Sequence, residues 1–342
     1  MGAEVNSERA APTAGVRDLP GVRVLLGAGR FVSRVIASLI GAVLLVMIAV
    51  EISFDGGFRA TLLPSGPAPG SAVDQRLVEN FRLNDSVPER LFNWIRDGLN
   101  GDLGLSVRGD TPVTELMAPR LPISLELMLV GALAAVLIGI PLGLLAAAWS
   151  NRRAGTLLDG FLGISQTVPV FITPLFLIWL FALELEWLPA AGWVRPSVSL
   201  TGNLESLILP AITLAFAEIG PIARVVRADA ISTLGEDYIA AARSKGLGTR
   251  EIMFRHVLRP SSLGTLNVLG INLGALLSGS IIVELIFGIP GLGQLLFRAL
   301  LARDLYVLLG LTAYFVIVHA TLNGLVDLVM RWADPRTRRE GR

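Results

Sequence analysis

The sequence contains no cysteine, which excludes disulfides, thiolate nucleophiles and cysteine-ligated metals. Histidine occurs only as His256 and His319, so no resident metal site is expected. Lysine occurs once, at Lys245, and nearly every other cationic side chain is arginine. That lysine stands in Ser244-Lys245-Gly246-Leu247, not at the end of a glycine-rich loop that could cradle phosphates. If ATP drives this protein, another chain hydrolyses it. The sequence also lacks a His-Glu-x-x-His metalloprotease motif and a Gly-x-Ser-x-Gly nucleophile elbow, so no catalytic residue is assigned. A net charge of +1 is too small to point to nucleic acid or another polyanion as partner.

Apolar residues, in contrast, are abundant. They make up 53% of the 342 residues, against about 45–50% in an ordinary soluble domain. The excess lies in blocks of the roughly 20 residues that a bilayer crossing needs. Six spans are expected, near 31–52, 121–149, 157–183, 204–226, 263–287 and 305–330. Prolines at 141, 169, 174, 210 and 221 fall within them; bundles tolerate this where neighbouring helices re-satisfy the freed carbonyls. Residues 1–25 read as a disordered tail, and the first span as an uncleaved signal anchor. The fold class is therefore an all-α polytopic membrane protein. Residues 26–342 form the membrane domain, residues 53–120 an outer loop with a small helical cap, and residues 229–262 a cytoplasmic loop. Segment 73–100 carries the helical spacing of that cap, and 294–303 reads as an amphipathic surface helix.

Arginine sets the orientation. Arg152 and Arg153 lie between spans two and three; Arg227, Arg243, Lys245, Arg250, Arg255 and Arg259 lie between spans four and five; five more follow span six. The opposite short loops are poorer, so both termini are expected in the cytoplasm.

Few acidic residues fall inside the spans. Glu126, Glu284 and Asp327 lie near span ends, while Glu218 is deepest. One deep carboxylate is thin support for an ion-coupled secondary transporter, the alternative class, since proton relays use several such groups. Ser165 and His319 as a protease pair have no supporting motif. Small residues at four-residue spacing (Gly139 and Gly143; Gly270, Gly274 and Ser278) allow close helix packing. The second set, with Glu284, is also the candidate lining of a path or gate.

The cytoplasmic loop is the most informative stretch. From Glu236 to Pro260 it reads as two short helices separated by a break. Ala240, Ala241 and Ala242 favour the first helix, and Gly246 and Gly248 end it. Thr249 is the expected N-cap of the second, which holds Ile252, Met253 and Phe254. The product is a compact basic protrusion suited to docking. Its site residues are Asp237, Tyr238, Ala241, Ala242, Arg243, Lys245, Gly246, Leu247 and Gly248. The residues alone leave a solvated connector as an equal reading.

This loop resembles the Glu-Ala-Ala motif of ABC importer permeases: Ala240-Ala241-Ala242, three residues, then Gly246. The motif's acidic position is Ala240 here. Four further segments resemble the dipeptide/oligopeptide permeases within that class. They are Gly101-Asp102-Leu103-Gly104 with Ser106 and Arg120-Leu121-Pro122; Trp187-Leu188-Pro189 with Gly192; Val283-Glu284 with Pro290-Gly291-Leu292-Gly293; and Asp334-Pro335-Arg336. The order is kept from about residue 71 to the end. The first 70 residues depart from the pattern, with Pro64 to Gly70 replacing the family's usual element.

The resemblance implies a type I ABC importer fold and a bacterial inner-membrane location. It implies a second homologous permease, two cytoplasmic ATP-binding subunits and an extracytoplasmic substrate-binding protein as partners. ATP and magnesium would sit on the partner ATPases, and this chain would bind no cofactor. Peptides are the implied cargo; nickel chelates, glutathione and oligosaccharides are the alternatives in the family.

Overall fold

The computed structural model describes residues 20–53, 78–79, 81–82, 84–150 and 152–333. The expected tail over 1–19, the segment Pro64–Gly70 and the motif Asp334-Pro335-Arg336 lie outside the described residues, as do the side chains of Arg259, Asp327 and Arg331. Among the described residues there is no strand, only an isolated bridge between Leu105 and Pro112.

Among the described residues twelve α-helices follow in chain order. They are α1 (Pro20–Ser53), α2 (Val87–Leu99), α3 (Val113–Met117), α4 (Leu121–Ala148), α5 (Arg153–Thr167), α6 (Ile172–Leu177), α7 (Leu200–Leu234), α8 (Asp237–Ser244), α9 (Thr249–Glu251), α10 (Leu258–Ile286), α11 (Leu292–Ala302) and α12 (Leu305–Ala333). A π-helical stretch Ile178–Glu184 prolongs α6, and another, Ile252–Val257, joins α9 to α10. Four segments are long and apolar enough to cross a bilayer: Phe31–Ile52, Leu121–Ala148, Leu200–Leu234 and Leu305–Val326. The bent pair of α5 and α6 brings the number to five among the described residues. In α10, the apolar stretch Gly274–Ile286 is shorter.

Three expected boundaries change. α1 begins at Pro20, within the stretch expected as tail. α7 runs on to Leu234, past the expected start of the cytoplasmic loop at residue 229. The third span is not one continuous helix: between α5 and the run Ile172–Glu184 the chain bends by 112°. The cause is local. Val168 precedes Pro169 and is extended (φ −72°, ψ 123°), because the proline ring disfavours the helical region for the residue before it. Pro174 falls in the first turn of α6, where a missing N–H costs no helix bond. Pro141, Pro210 and Pro221 stay inside unbroken α4 and α7.

The core of the bundle is α4 against α7. A side chain at Gly131 would meet Leu214 at 2.9 Å, at Gly139 Ile222 at 2.8 Å, and at Gly143 the Ala223 carbonyl at 2.6 Å and Val226 at 2.7 Å. The partners advance in step with the glycines, so the two helices run parallel with nearly touching backbones. On the opposite face of α4, Leu129, Leu133 and Leu137 are exposed. Small residues therefore face protein and large ones face outward, as membrane packing requires. Gly143→Leu should be among the costliest changes in α4, since overpacking a tight contact costs about 1–3 kcal/mol or more. A melting curve of the solubilised chain checks this; Leu137→Ala on the outer face should leave it nearly unchanged.

A second core joins α1 to α12 through Val43, Met47 and Val50, and seats α2 and α3 on the start of α12. Of the expected cap helix over 73–100, the helix observed is α2; residues 73–77 lie outside the described set. Glu89 starts α2 by accepting both the N–H (2.9 Å) and the O–H (2.7 Å) of Ser86. These bonds hold the exposed Glu89 carboxyl below its ordinary pKa. The Gly101–Ser106 turn is locked on α12. Gly104 has φ +92°, and a Cβ there would strike the Tyr306 ring at 2.6 Å. Ser106 Oγ and the Val107 N–H donate to Asp304 at 2.5 and 3.0 Å. Burial pushes the Asp304 carboxyl up in pKa, while these bonds act in the opposite direction.

Candidate functional site

The cytoplasmic loop folds as two short helices with a sharp break, and the break has a definite chemistry. α8 ends in a paired motif: the Gly246 N–H donates to Arg243 O (2.9 Å) and the Leu247 N–H to Ala242 O (3.3 Å). This is the arrangement that closes helices on a left-handed residue, here Gly246 at φ +83°. Gly248, not Thr249, caps the second helix (φ −70°, ψ 155°); Thr249 is its first residue.

The loop is anchored on one side only. Ile239, Ala242, Ile252, Met253 and Val257 are buried, and Leu247 packs beside them against Val226 and Ala230 of α7 and Ala147 of α4. On the other side Asp237, Tyr238, Ala241, Arg243, Lys245, Gly246 and Gly248 are exposed. Tyr238 and Phe254 are 49% and 61% exposed, and Phe254 edges an open hollow shared with Gly248, Arg250 and Glu251. The nine expected site residues therefore divide: Ala242 and Leu247 hold the loop to the bundle, and the other seven face outward. Basic and aromatic groups projecting from a firmly seated base suit a docking knob.

The expected path residues divide as well. A Cβ at Gly270 would meet Val326 at 2.7 Å, and at Gly274 the His319 ring at 3.2 Å, so both glycines serve the contact of α10 with α12. Ser278 is exposed and donates to Gly274 O (3.0 Å). Glu284 is fully buried. Its carboxylate accepts from Ser124 Oγ (2.6 Å), the Gly293 N–H (2.7 Å) and the Gln294 N–H (3.1 Å). Ser124 in turn accepts from the Leu292 N–H (2.8 Å). Together they satisfy three orphan N–H groups at the start of α11, placing acceptor oxygens where the helix dipole favours them. Glu284 thus ties α4, α10 and α11 into one joint.

A third arrangement lies in the crook of α5 and α6. Glu218 of α7, 3% exposed, accepts from Asn272 Nδ2 of α10 at 2.9 Å. Both line a cavity of about 240 Å³, shared with Ser165, Gln166, Thr173 and Thr213. Asn272 was not singled out in the sequence. It lies 54 residues from Glu218, and no motif links the two. Among the described residues, no group of three or more His, Asp or Glu could hold a metal ion.

Residues 139–339 match the family described as the binding-protein-dependent transport system inner membrane component. The chain belongs to that family. This permease is 34% identical over 297 residues to the oligopeptide transport system permease protein OppB of Salmonella typhimurium, covering 85% of this chain and 94% of that one. It is likewise 34% identical to the probable D,D-dipeptide transport system permease protein DdpB of Escherichia coli, covering 82% and 91%. In fold it is similar to the MetNI methionine ABC transporter in its inward-facing conformation, with a TM-score of 0.54 and 18% identity over 65% of this chain and 97% of that one. The permease is thus a transport component and not an enzyme, a multi-pass protein of the bacterial inner membrane that works with ATPase and binding-protein partners.

Proposed function

We propose that the permease forms half of the translocation path of an ATP-driven importer of di- and oligopeptides, beside a second permease of similar fold. An extracytoplasmic binding protein delivers the peptide. Two cytoplasmic ATPase subunits, which carry the ATP and magnesium, drive the bundle between outward- and inward-open states. Both termini face the cytoplasm. The α8–Gly246 knob carries the ATPase stroke, and the observation behind this is its form: exposed Tyr238, Arg243 and Lys245 on a base fixed to α4 and α7. Among the described residues these two helices pack on each other most extensively, so force applied at the knob reaches the membrane core. The path runs along the small exposed residues Ala217, Ala275 and Ser278, with the Gly270 and Gly274 contact as the seam on which α10 shifts against α12. Peptide cargo rests on the names of the similar permeases.

Uptake into proteoliposomes holding the full complex tests the reading. Peptide should accumulate only with internal ATP and external binding protein, and an uncoupler should leave uptake intact. Uptake that survives ATP depletion and collapses with the uncoupler would replace this reading with ion coupling.

A further inference from the structure

Glu218 is a carboxylate in the middle of a helix that crosses the membrane, and it is only half partnered. One oxygen accepts from Asn272. The other accepts no hydrogen bond among the described residues, and no arginine, lysine or histidine there pairs with the group. A carboxylate at such depth is costly unless something positive or several donors meet it. The structure supplies room for such a partner: the cavity of about 240 Å³ at the crook of α5 and α6, with hydroxyl and amide groups on its wall. Its rim carries Gln166, Ala217 and Ala275, all exposed. Other exposed positions of the same bundle carry large side chains, among them Leu129, Leu133, Leu137 and Phe176. The opening is mixed, with Gln166 and the two alanines beside Val168, Val170 and Phe216, and it leaves a small cationic group a way to the carboxylate.

From these features we propose that Glu218, set by Asn272, is a cation-recognising subsite of the translocation path, which receives an amine of the passing peptide: its amino terminus or a lysine side chain. This rests on the peptide-importer reading above. The ammonium group completes the open side of the carboxylate, and the hydroxyls of Thr213 and Thr173 accept its remaining N–H bonds. The subsite favours basic over acidic peptides, beyond whatever selection the binding protein applies.

The test uses the purified complex of permease, partner permease and ATPases, with Glu218→Gln, which keeps the shape and removes the charge, and Asn272→Ala. Trilysine without ATP should raise the melting temperature of the wild-type complex, triglutamate should not, and Glu218→Gln should abolish the rise. In proteoliposomes with one common binding protein, Glu218→Gln should raise KM for trilysine about tenfold and leave KM for triglutamate within twofold, with kcat little changed. Asn272→Ala should shift KM in the same sense by less. An equal fall for both peptides, or a lowered melting temperature with an unaltered lysine-to-glutamate preference, would make Glu218 a structural tether to Asn272 and overturn the proposal. Wild-type complex that binds trilysine yet imports neither peptide would refute the importer reading and leave the subsite standing.

Discussion

Gly246→Val is expected to cut peptide uptake by at least about tenfold while the protein still inserts and reaches the membrane at normal levels. Gly246 sits at φ +83°, and an L-residue in the left-handed region costs about 1–2 kcal/mol, with branched side chains worst placed there. Nothing lies within 4 Å of where its Cβ would stand, so strain and not collision carries the effect. The residue must leave its conformation, and the two bonds that close α8 onto Arg243 and Ala242 go with it. Tyr238, Arg243 and Lys245 then lose their fixed relation to the bundle. ATP hydrolysis should become poorly stimulated by loaded binding protein, which marks uncoupling and not unfolding. Gly246→Asn should be milder, because asparagine tolerates this region. Gly248→Ala should be close to neutral: its φ is −70° and the space around it is open. The comparison is read by uptake and ATPase assays on the reconstituted complex, with membrane abundance by immunoblot. Full coupling in Gly246→Val would remove the knob from the mechanism.

Glu284→Ala is expected to produce the largest loss of stability. Three donors converge on the carboxylate, from Ser124, Gly293 and Gln294, and the site is sealed from solvent. Loss of the carboxylate leaves these buried N–H and O–H donors unpaired at about 1–3 kcal/mol each, on the order of 3–5 kcal/mol together, with allowance for partial relaxation. The melting temperature of the solubilised chain should fall on the order of 10 °C. Ser124→Ala should cost less, since it removes one donor to Glu284 and one acceptor for Leu292. Gly293→Ala should also be harmful, because its Cβ would lie 2.5 Å from Ile281 Cα. An unchanged melting temperature with reduced uptake would instead place Glu284 in a gate.

The two residues show what a sequence can and cannot express. The break at Gly246 was legible because helix termination is local: alanines, a glycine, then an apolar residue specify the closing motif within a few positions. Four of the six expected spans were legible for the same reason, since length and composition decide them; the third is a bent pair of helices, and in the fifth only Gly274–Ile286 forms the apolar stretch. The role of Glu284 was legible only in part: a bond to the Gly- and Pro-rich turn that follows it is local, but its tie to α4 is not. Its partner Ser124 lies 160 residues earlier, and the pair meets only because α4 and α10 pack side by side. The bend between α5 and α6 had a visible cause in Pro169, but proline interrupts α4 and α7 without breaking them. Val168 before Pro169 is extended, whereas Pro141, Pro210 and Pro221 lie within continuous helices, and the presence of proline does not by itself tell the two cases apart. Gly139 and Gly143 were readable as packing residues, whereas Gly270 and Gly274 turned toward α12 for reasons of helix rotation that spacing alone does not fix.

The central claim is that this permease works through an ATPase docked on the α8–Gly246 knob, and affinity purification tests it most directly. The tagged chain, extracted in mild detergent from cells that express the whole system, should bring down a second permease and ATPase subunits, with ATP hydrolysis in the eluate. Charge reversal of the exposed Arg243 and Lys245, with Tyr238→Ala, should strip away the ATPases and leave the second permease bound. A chain recovered alone under conditions that keep related complexes intact, or ATPases that stay bound to the altered knob, would contradict the account.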